Sequence, residues 1–549
     1  MSKEAELIVQ GKSQELWQRC CSFIDLSLED FMGIQERLLL EQLELLKKCK
    51  LGRSIMRGAE PRTVAEFREE VPLTTYADYE PFLLTKNERA LPAKTLFWQH
   101  TSGRSGEYSF KWAPVTARQF EEIRALLFAC LAFSCCRGKG EIAYKWKDKF
   151  LYALAPPPYT TGALIHHAPH EVFNFLPPIK AAENMSFEER IELGFKLALS
   201  EGLDLFFAMS VVLVAIAERF SHRKGSISLR SLIGRPKVLA RLLKGLVKSK
   251  LARREILPRD IWNLKGLVST GSDGAVFREK VKKMWGRYPL DVYAGTEGLI
   301  MATQTWDYGG MTFVPHINFF EFIPEEESLR SKANPEYQPR TVLLNEVKAG
   351  ENYEVVITNF HGMPFTRYRL GDMVRIISLR NEQLGIDIPQ MTFHSRVDDI
   401  IDIAGFTRLT EKVIWQAIEN TGIPYEEWTV RKELRDKPVL QLYLELRGNG
   451  TRTPDEVAAA VHEELTKLDS PYADLEAFIG LRPLEVTLLP QNAFRGYMLR
   501  QQAAGADLAH LKPPHINPSD SMIECLVSGV EKVPVTARRK REPEVVQSR

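Results

Sequence analysis

Through about Arg57, apolar positions recur at helical spacing. Phe31, Ile34, Leu38, Leu39 and Leu45 share a face with good helix formers between them, which predicts helices packed on a core. From Thr74 onward the pattern changes. Short apolar runs at Lys149 to Ala155, Leu264 to Val268, Leu290 to Tyr293, Glu354 to Thr358 and Met373 to Ile377 read as strands, and their alternation with helical segments predicts an α/β sheet. The most apolar stretch, Leu205 to Ala217, reads as one buried helix. It is flanked by Asp204 and Glu218 and is too short to cross a hydrocarbon layer of roughly 30 Å.

Near residue 396 the pattern restarts. Asp399 to Ile403 reads as a strand, Glu411 to Thr421 as a helix, Val439 to Leu446 as an alternating strand, Pro454 to Leu468 as a helix and Leu484 to Leu489 as a strand. A chain of 549 residues exceeds what one core usually organises. The expected division is therefore a large α/β domain over 1–395 with sheets flanked by helices, a small α+β domain over 396–525, and a disordered basic tail over 526–549. The tail follows from the run Arg538 to Arg541 with Pro534 and Pro543 and little to bury.

Apolar residues make up 44% and charged residues 26%, so the chain is globular and not disordered. Basic and acidic residues nearly cancel, at 73 against 71, and this removes any global field that would recruit nucleic acid or an anionic surface. One local exception is Lys237, Arg241, Lys244, Lys248, Lys250, Arg253 and Arg254, interleaved with leucines at helical spacing. It reads as a basic amphipathic helix whose apolar stripe is buried, with a phosphate-bearing or membrane partner as the other reading. Seven cysteines, an odd count with no CxxC, fit neither a disulfide framework nor a zinc site, and the first thirty residues lack the apolar core of a signal peptide. A reducing, cytoplasmic setting is expected, with neither a transmembrane segment nor an obligate protein partner.

Three segments carry candidate chemistry. Gln99 to Glu107 packs hydroxyls and glycines densely enough for backbone N–H groups to close on phosphate, although it is no Walker A loop and fits a plain polar turn equally well. Thr270-Gly271-Ser272-Asp273-Gly274 follows an apolar run, where ligands of open α/β sheets bind; Asp291 to Gly298 then supplies an aromatic face, a hydroxyl and a carboxylate able to hold Mg²⁺. Phe365 to Asp372, followed by His394 to Asp399, offers an Asp after a Gly turn for ribose hydroxyls and an arginine for ribose or phosphate oxygens. His166, His167 and His170 lack a close carboxylate or cysteine and read as loop residues.

In this order and at these separations, the loop, the Gly turn, YxGTEG, YRxGD and RxDD resemble the adenylate-forming superfamily, and within it the auxin-responsive acyl-acid amido synthetase family. Val71 to Tyr79, Phe319 to Pro324, Tyr353 to Thr358, Phe494 to Met498 and Lys512 to His515 extend the resemblance over roughly residues 70 to 520. It implies an ATP- and Mg²⁺-dependent ligase with a mobile small domain, which activates a carboxylic acid as its acyl-adenylate. Ser102, Gly103, Arg104, Ser105 and Gly106 would cradle the phosphates, aided by Gly271 and Ser272, and Tyr293 would lie on the adenine. Thr296 would meet the α-phosphate, Glu297 would hold Mg²⁺, Asp372 would grip the ribose with support from Arg396, Asp398 would be the hinge, and Lys512 would enter the active site. The implied acceptor is an amine, an amino acid. Coenzyme A stays open as an alternative, because the small domain has Gly405 to Glu411 in place of the usual Glu-Lys pair. A non-catalytic nucleotide-binding scaffold stays open because Arg104 replaces a small hydroxyl residue.

Overall fold

Helices at Lys3–Val9, Ser13–Cys21, Leu28–Lys48 and Lys50–Ile55 form the N-terminal layer that the apolar spacing predicts. The longest begins where the Ser27 side chain accepts from the Asp30 amide at 3.0 Å, and it ends on Lys47 and Lys48, whose charges suit a helix C-terminus. Two glutamines interrupt its buried face. Gln35 donates to the carbonyls of Pro315 and Asn318, both at 2.7 Å, and Gln42 donates to that of Met363 at 2.8 Å. These bonds fasten the helix to loops of the sheet by satisfying carbonyls that burial would otherwise leave unpaired.

The chain is described from a computed structural model over residues 2–101, 111–167, 170–183, 185, 187–222, 236–271, 274–334, 336–397, 400–404, 407–448, 452–503 and 513–528. Its strands are β1 (Thr95–His100), β2 (Trp112–Thr116), β3 (Lys149–Ala153), β4 (Asn174–Leu176), β5 (Leu205–Ala208), β6 (Gly266–Thr270), β7 (Leu290–Gly295), β8 (Leu299–Thr303), β9 (Met311–Phe313), β10 (Asn318–Pro324), β11 (Asn352–Asn359), β12 (Tyr368–Ser378) and β13 (Gln390–Arg396). Further along come β14 (Ile400–Ile403), β15 (Thr407–Thr410), β16 (Tyr425–Leu434), β17 (Pro438–Leu446) and β18 (Leu484–Leu488). An 11-stranded mixed sheet has the order β10-β11-β12-β13-β9-β8-β7-β6-β5-β3-β4. From β4 to β7 the pairs are parallel, and from β7 to β10 they are antiparallel. The expected α/β class is the observed one.

One element differs from expectation. Leu205 to Ala217 is strand β5 followed by the helix Ser210–His222, and β5 lies between β3 and β6 in the parallel half. A parallel strand covered on both faces carries no alternation, so its sequence looks like the buried helix that follows it.

The chain divides into two compact units. The first comprises residues up to Ile414 with Leu434–Val439 and Leu465–Pro483; the second comprises Trp415–Glu433, Leu440–Glu464 and the chain from Leu484 onward. The second is built on the sheet β16-β17-β18, with β17 and β18 parallel, and on a small core in which Tyr443, Leu489 and Phe494 pack with Met522, Ile523 and Leu526. The last helix, Asp520–Val527, reaches into the segment expected as a tail because Leu526 is fully buried; residues 529–549 lie outside the described ones. Among the described residues no helix is long and apolar enough to cross a membrane.

Candidate active site

Strand β6 ends at Thr270, and Gly271 follows with φ +124°, a conformation open to a residue without a Cβ. The turn thus leaves the carboxyl edge of the parallel half, where β7 also ends. After β7, Thr296, Glu297 and Gly298 form a turn whose three carbonyls each accept from a buried amide. Gln99 Nε2 donates to Thr296 at 2.8 Å, Asn359 Nδ2 to Glu297 at 3.0 Å and Asn318 Nδ2 to Gly298 at 2.7 Å. Leu299 then takes φ +56°, which a branched side chain adopts only when its surroundings hold it. Three side-chain amides thus hold the turn in place.

The other half of the site comes from β12 and β13, where Asp372 and Arg396 are directly opposed. Arg396 Nη1 pairs with Asp372 Oδ1 at 2.5 Å, and the Tyr293 hydroxyl donates to Asp372 Oδ2 at 2.8 Å. Burial, and after it the Asp372 charge, raise the Tyr293 phenol well above its ordinary value, so it stays a donor. The arginines of the β12 segment do something else. Arg367 forms a buried two-point pair with Glu321, at 3.0 and 2.8 Å, and Arg369 a similar one with Glu354, at 2.8 and 2.7 Å. Both fix the strand, and Asp372 faces the cavity.

These residues border one cavity of about 600 Å³ in the first unit, lined by Gly271, Tyr293, Thr296, Asp372 and Arg396. Its remaining wall is mostly apolar, with Leu127, Leu131, Leu164, Ile165, Phe173 and Phe207 prominent. The turn Ala155 to Tyr159 borders it, as does the helix Thr160–His166. Gly162 lets that helix sit on the turn, because a Cβ there would collide with the Ala155 carbonyl. Thr160 Oγ1 and Thr296 Oγ1 are hydrogen-bonded at 2.8 Å, which couples this wall to the turn after β7. Arg124 also lines the cavity. Its charge is met by Glu4, at 3.0 Å, and Glu4 in turn pairs with Arg19. Burial works to raise the Glu4 carboxyl, but the two guanidiniums prevail and hold it below the usual range.

Glu297 stands apart from the lining. Its carboxylate is buried and accepts from the Tyr368 hydroxyl at 3.1 Å. Ser102, Gly103, Arg104, Ser105, Gly106, Ser272, Asp398 and Lys512 lie outside the described residues. The flanks of residues 102–110 are described: the Thr101 amide donates to the Lys111 carbonyl at 3.1 Å, and the Lys111 amide donates to Thr101 Oγ1 at 3.2 Å. Among the lining residues given no role by sequence reasoning are Asp291 and Arg278. Asp291 Oδ1 is buried without a hydrogen-bond partner, and burial, opposed by Arg278, pushes its carboxyl up to about 7. An acidic residue at the start of a buried apolar strand was the available signal. Among the described residues no cluster of His, Cys, Asp or Glu suits a metal on its own, and His167 stacks on Phe97 at 4.2 Å.

Three GH3 family models match the chain: the N-terminal domain over 20–164, the central domain over 311–396 and the C-terminal domain over 409–521. A jasmonoyl–L-amino acid synthetase of Oryza sativa subsp. japonica is 29% identical over 231 residues, covering 39% of this chain and 38% of that protein. An indole-3-acetic acid-amido synthetase of Arabidopsis thaliana is 26% identical over 231 residues, covering 40% and 36%. The matched region thus spans well under half the length of these curated relatives. In fold, the chain is similar to the GH3.15 acyl acid amido synthetase in complex with 2,4-DB, with a TM-score of 0.50, 17% identity and coverage of 93% and 95%. It is also similar to 2-hydroxyisobutyryl-CoA ligase in complex with 2-HIB-AMP and CoA, with a TM-score of 0.54, 14% identity and coverage of 89% and 94%.

Proposed function

From the premise that this chain belongs to the GH3 family, we propose that it is an AMP-forming ligase that activates an apolar carboxylic acid and passes the acyl group to an amino acid. The observation that carries the reading is the single cavity in which Gly271, Tyr293, Thr296, Asp372 and Arg396 adjoin an apolar wall. A nucleotide takes the polar part and the acid's hydrocarbon body the rest. Asp372, already oriented by Tyr293 and Arg396, accepts ribose hydroxyls. Thr296, on its fixed turn, donates to the α-phosphate.

The acid's carboxylate oxygen attacks the α-phosphorus, the bond to the pyrophosphate oxygen breaks, and a mixed anhydride forms; the amine then attacks the acyl carbon and AMP leaves. Positioning supplies most of the rate, with Lys512 and the loop Ser102 to Gly106 assigned to the negative charge that crowds around phosphorus. Mg²⁺ is usually held by one or two carboxylates plus substrate phosphates; Glu297, next in the chain to the cavity-lining Thr296, would hold it, and it would neutralise phosphate charge. The hinge at Asp398 and the division at residue 396 belong to the same proposal. So does a cytoplasmic setting, which is supported by seven free cysteines, six of them buried.

The test is acid-dependent ATP–pyrophosphate exchange over aryl, indolyl and fatty acids, followed by product analysis with amino acids and with coenzyme A. Exchange with at least one apolar acid and an amide product are expected, and Lys512→Ala should lose exchange. Thioester without amide would move the assignment to a CoA ligase. No exchange with any acid would leave a nucleotide-binding scaffold.

A further inference from the structure

The helix Pro236–Leu251 inverts the usual amphipathic arrangement. Its core-facing positions are small or short, namely Val238, Gly245 and Ser249. Gly245 lets it close on its neighbours, since a Cβ there would meet Ile261 Cδ1 at 2.5 Å. Leu239 and Leu242 are half-buried, and the other large apolar side chains point away from the core. Leu243, Leu246, Val247 and Leu251 are 51%, 44%, 57% and 81% exposed, and Leu243, Val247 and Leu251 recur every fourth residue, so they form one stripe along the helix. Most of the apolar stripe expected to be buried is on the outside, with Leu239 and Leu242 the half-buried exceptions.

Beside that stripe, Lys237, Lys244 and Lys248 are exposed along one flank, and the helix holds no acidic residue. We propose that this helix lies in the interface of an anionic lipid surface, with its leucines and valine among the upper acyl carbons and its lysines on headgroup phosphates. Charge favours this occupant over the others. Docking the same face on a second copy would bring two lysine rows together, and the preceding sequence 221–235 is itself basic, with Arg223, Lys224, Arg230 and Arg235 and no Asp or Glu. Neither can complement it. An anionic surface satisfies both the apolar stripe and the positive border.

Flotation of the full chain with phosphatidylcholine vesicles, with and without about 30% phosphatidylserine, tests the proposal. Binding is expected only to the anionic vesicles, weakening as salt rises. L243E/V247E and K244E/K248E should each lower vesicle affinity by about tenfold or more with an unchanged melting temperature, because all four side chains face solvent. The proposal is overturned if the anionic vesicles do not bind, or if binding ignores both double substitutions. It is equally overturned if the wild type ignores vesicles and instead dimerises, or binds an acidic protein, through the same residues.

Discussion

Asp291 faces the cavity with one carboxylate oxygen that no protein group meets. Its folded value of about 7 lies above the 3.8 of a free side chain. The sign follows from proton counting. Between those values the folded chain holds a proton that the unfolded chain has released, so this group's contribution to stability is full below pH 3.8 and is lost as pH rises to about 7. Across that window the loss is up to about 4 kcal/mol. Asp291→Asn should remove this slope, so the difference in urea midpoint between wild type and variant should widen in the variant's favour from pH 4 to pH 8. A constant difference would show that Asp291 ionises normally. Sequence reading could name Tyr293, Thr296, Asp372 and Arg396 through the order of their motifs, but not the hydrogen bond from Tyr293 to Asp372 across 79 residues. Asp291 was marked in the sequence only as an acidic residue near the start of a buried apolar strand.

At the scale of elements, the parallel half depends on how closely the helix Ala117–Cys135 approaches β6. Gly266 sets that distance, because a Cβ there would collide with Ser134 Oγ and Cys135 Sγ and press on Leu205. Gly266→Ala should therefore destabilise the fold by about 1–3 kcal/mol, read as a lowered urea midpoint with an unchanged slope. Wild-type stability would mean that the helix shifts freely. The strands flanking β5 were legible because turn residues bound their short apolar runs. The boundary within Leu205 to Ala217 was not, since strand and helix there are both buried and apolar, and the join at Met209 carries neither glycine nor proline. The helix Pro236–Leu251 was legible as a helix, but its orientation was not. Periodicity gives two faces, and only the small size of Gly245 and Ser249 tells which one can approach the core.

For the whole molecule, a ligand that binds only the folded chain raises its melting temperature by mass action. ATP with an accepted acid, at about 100 times its Kd, should stabilise the protein by about 2.7 kcal/mol. Asp372→Ala should abolish the shift at the same ligand concentration, and an equal shift in both proteins would remove Asp372 from the nucleotide site. A last consequence concerns the first helix, Lys3–Val9. Through Glu4 it supplies an anionic partner to Arg124, so a guanidinium in the wall of the cavity is paired with a residue 120 positions upstream. Glu4→Gln would leave that guanidinium without its carboxylate, and in the proposed exchange assay preference should then tilt from monocarboxylic toward dicarboxylic acids, which would make the helix Lys3–Val9 a selector of substrate charge.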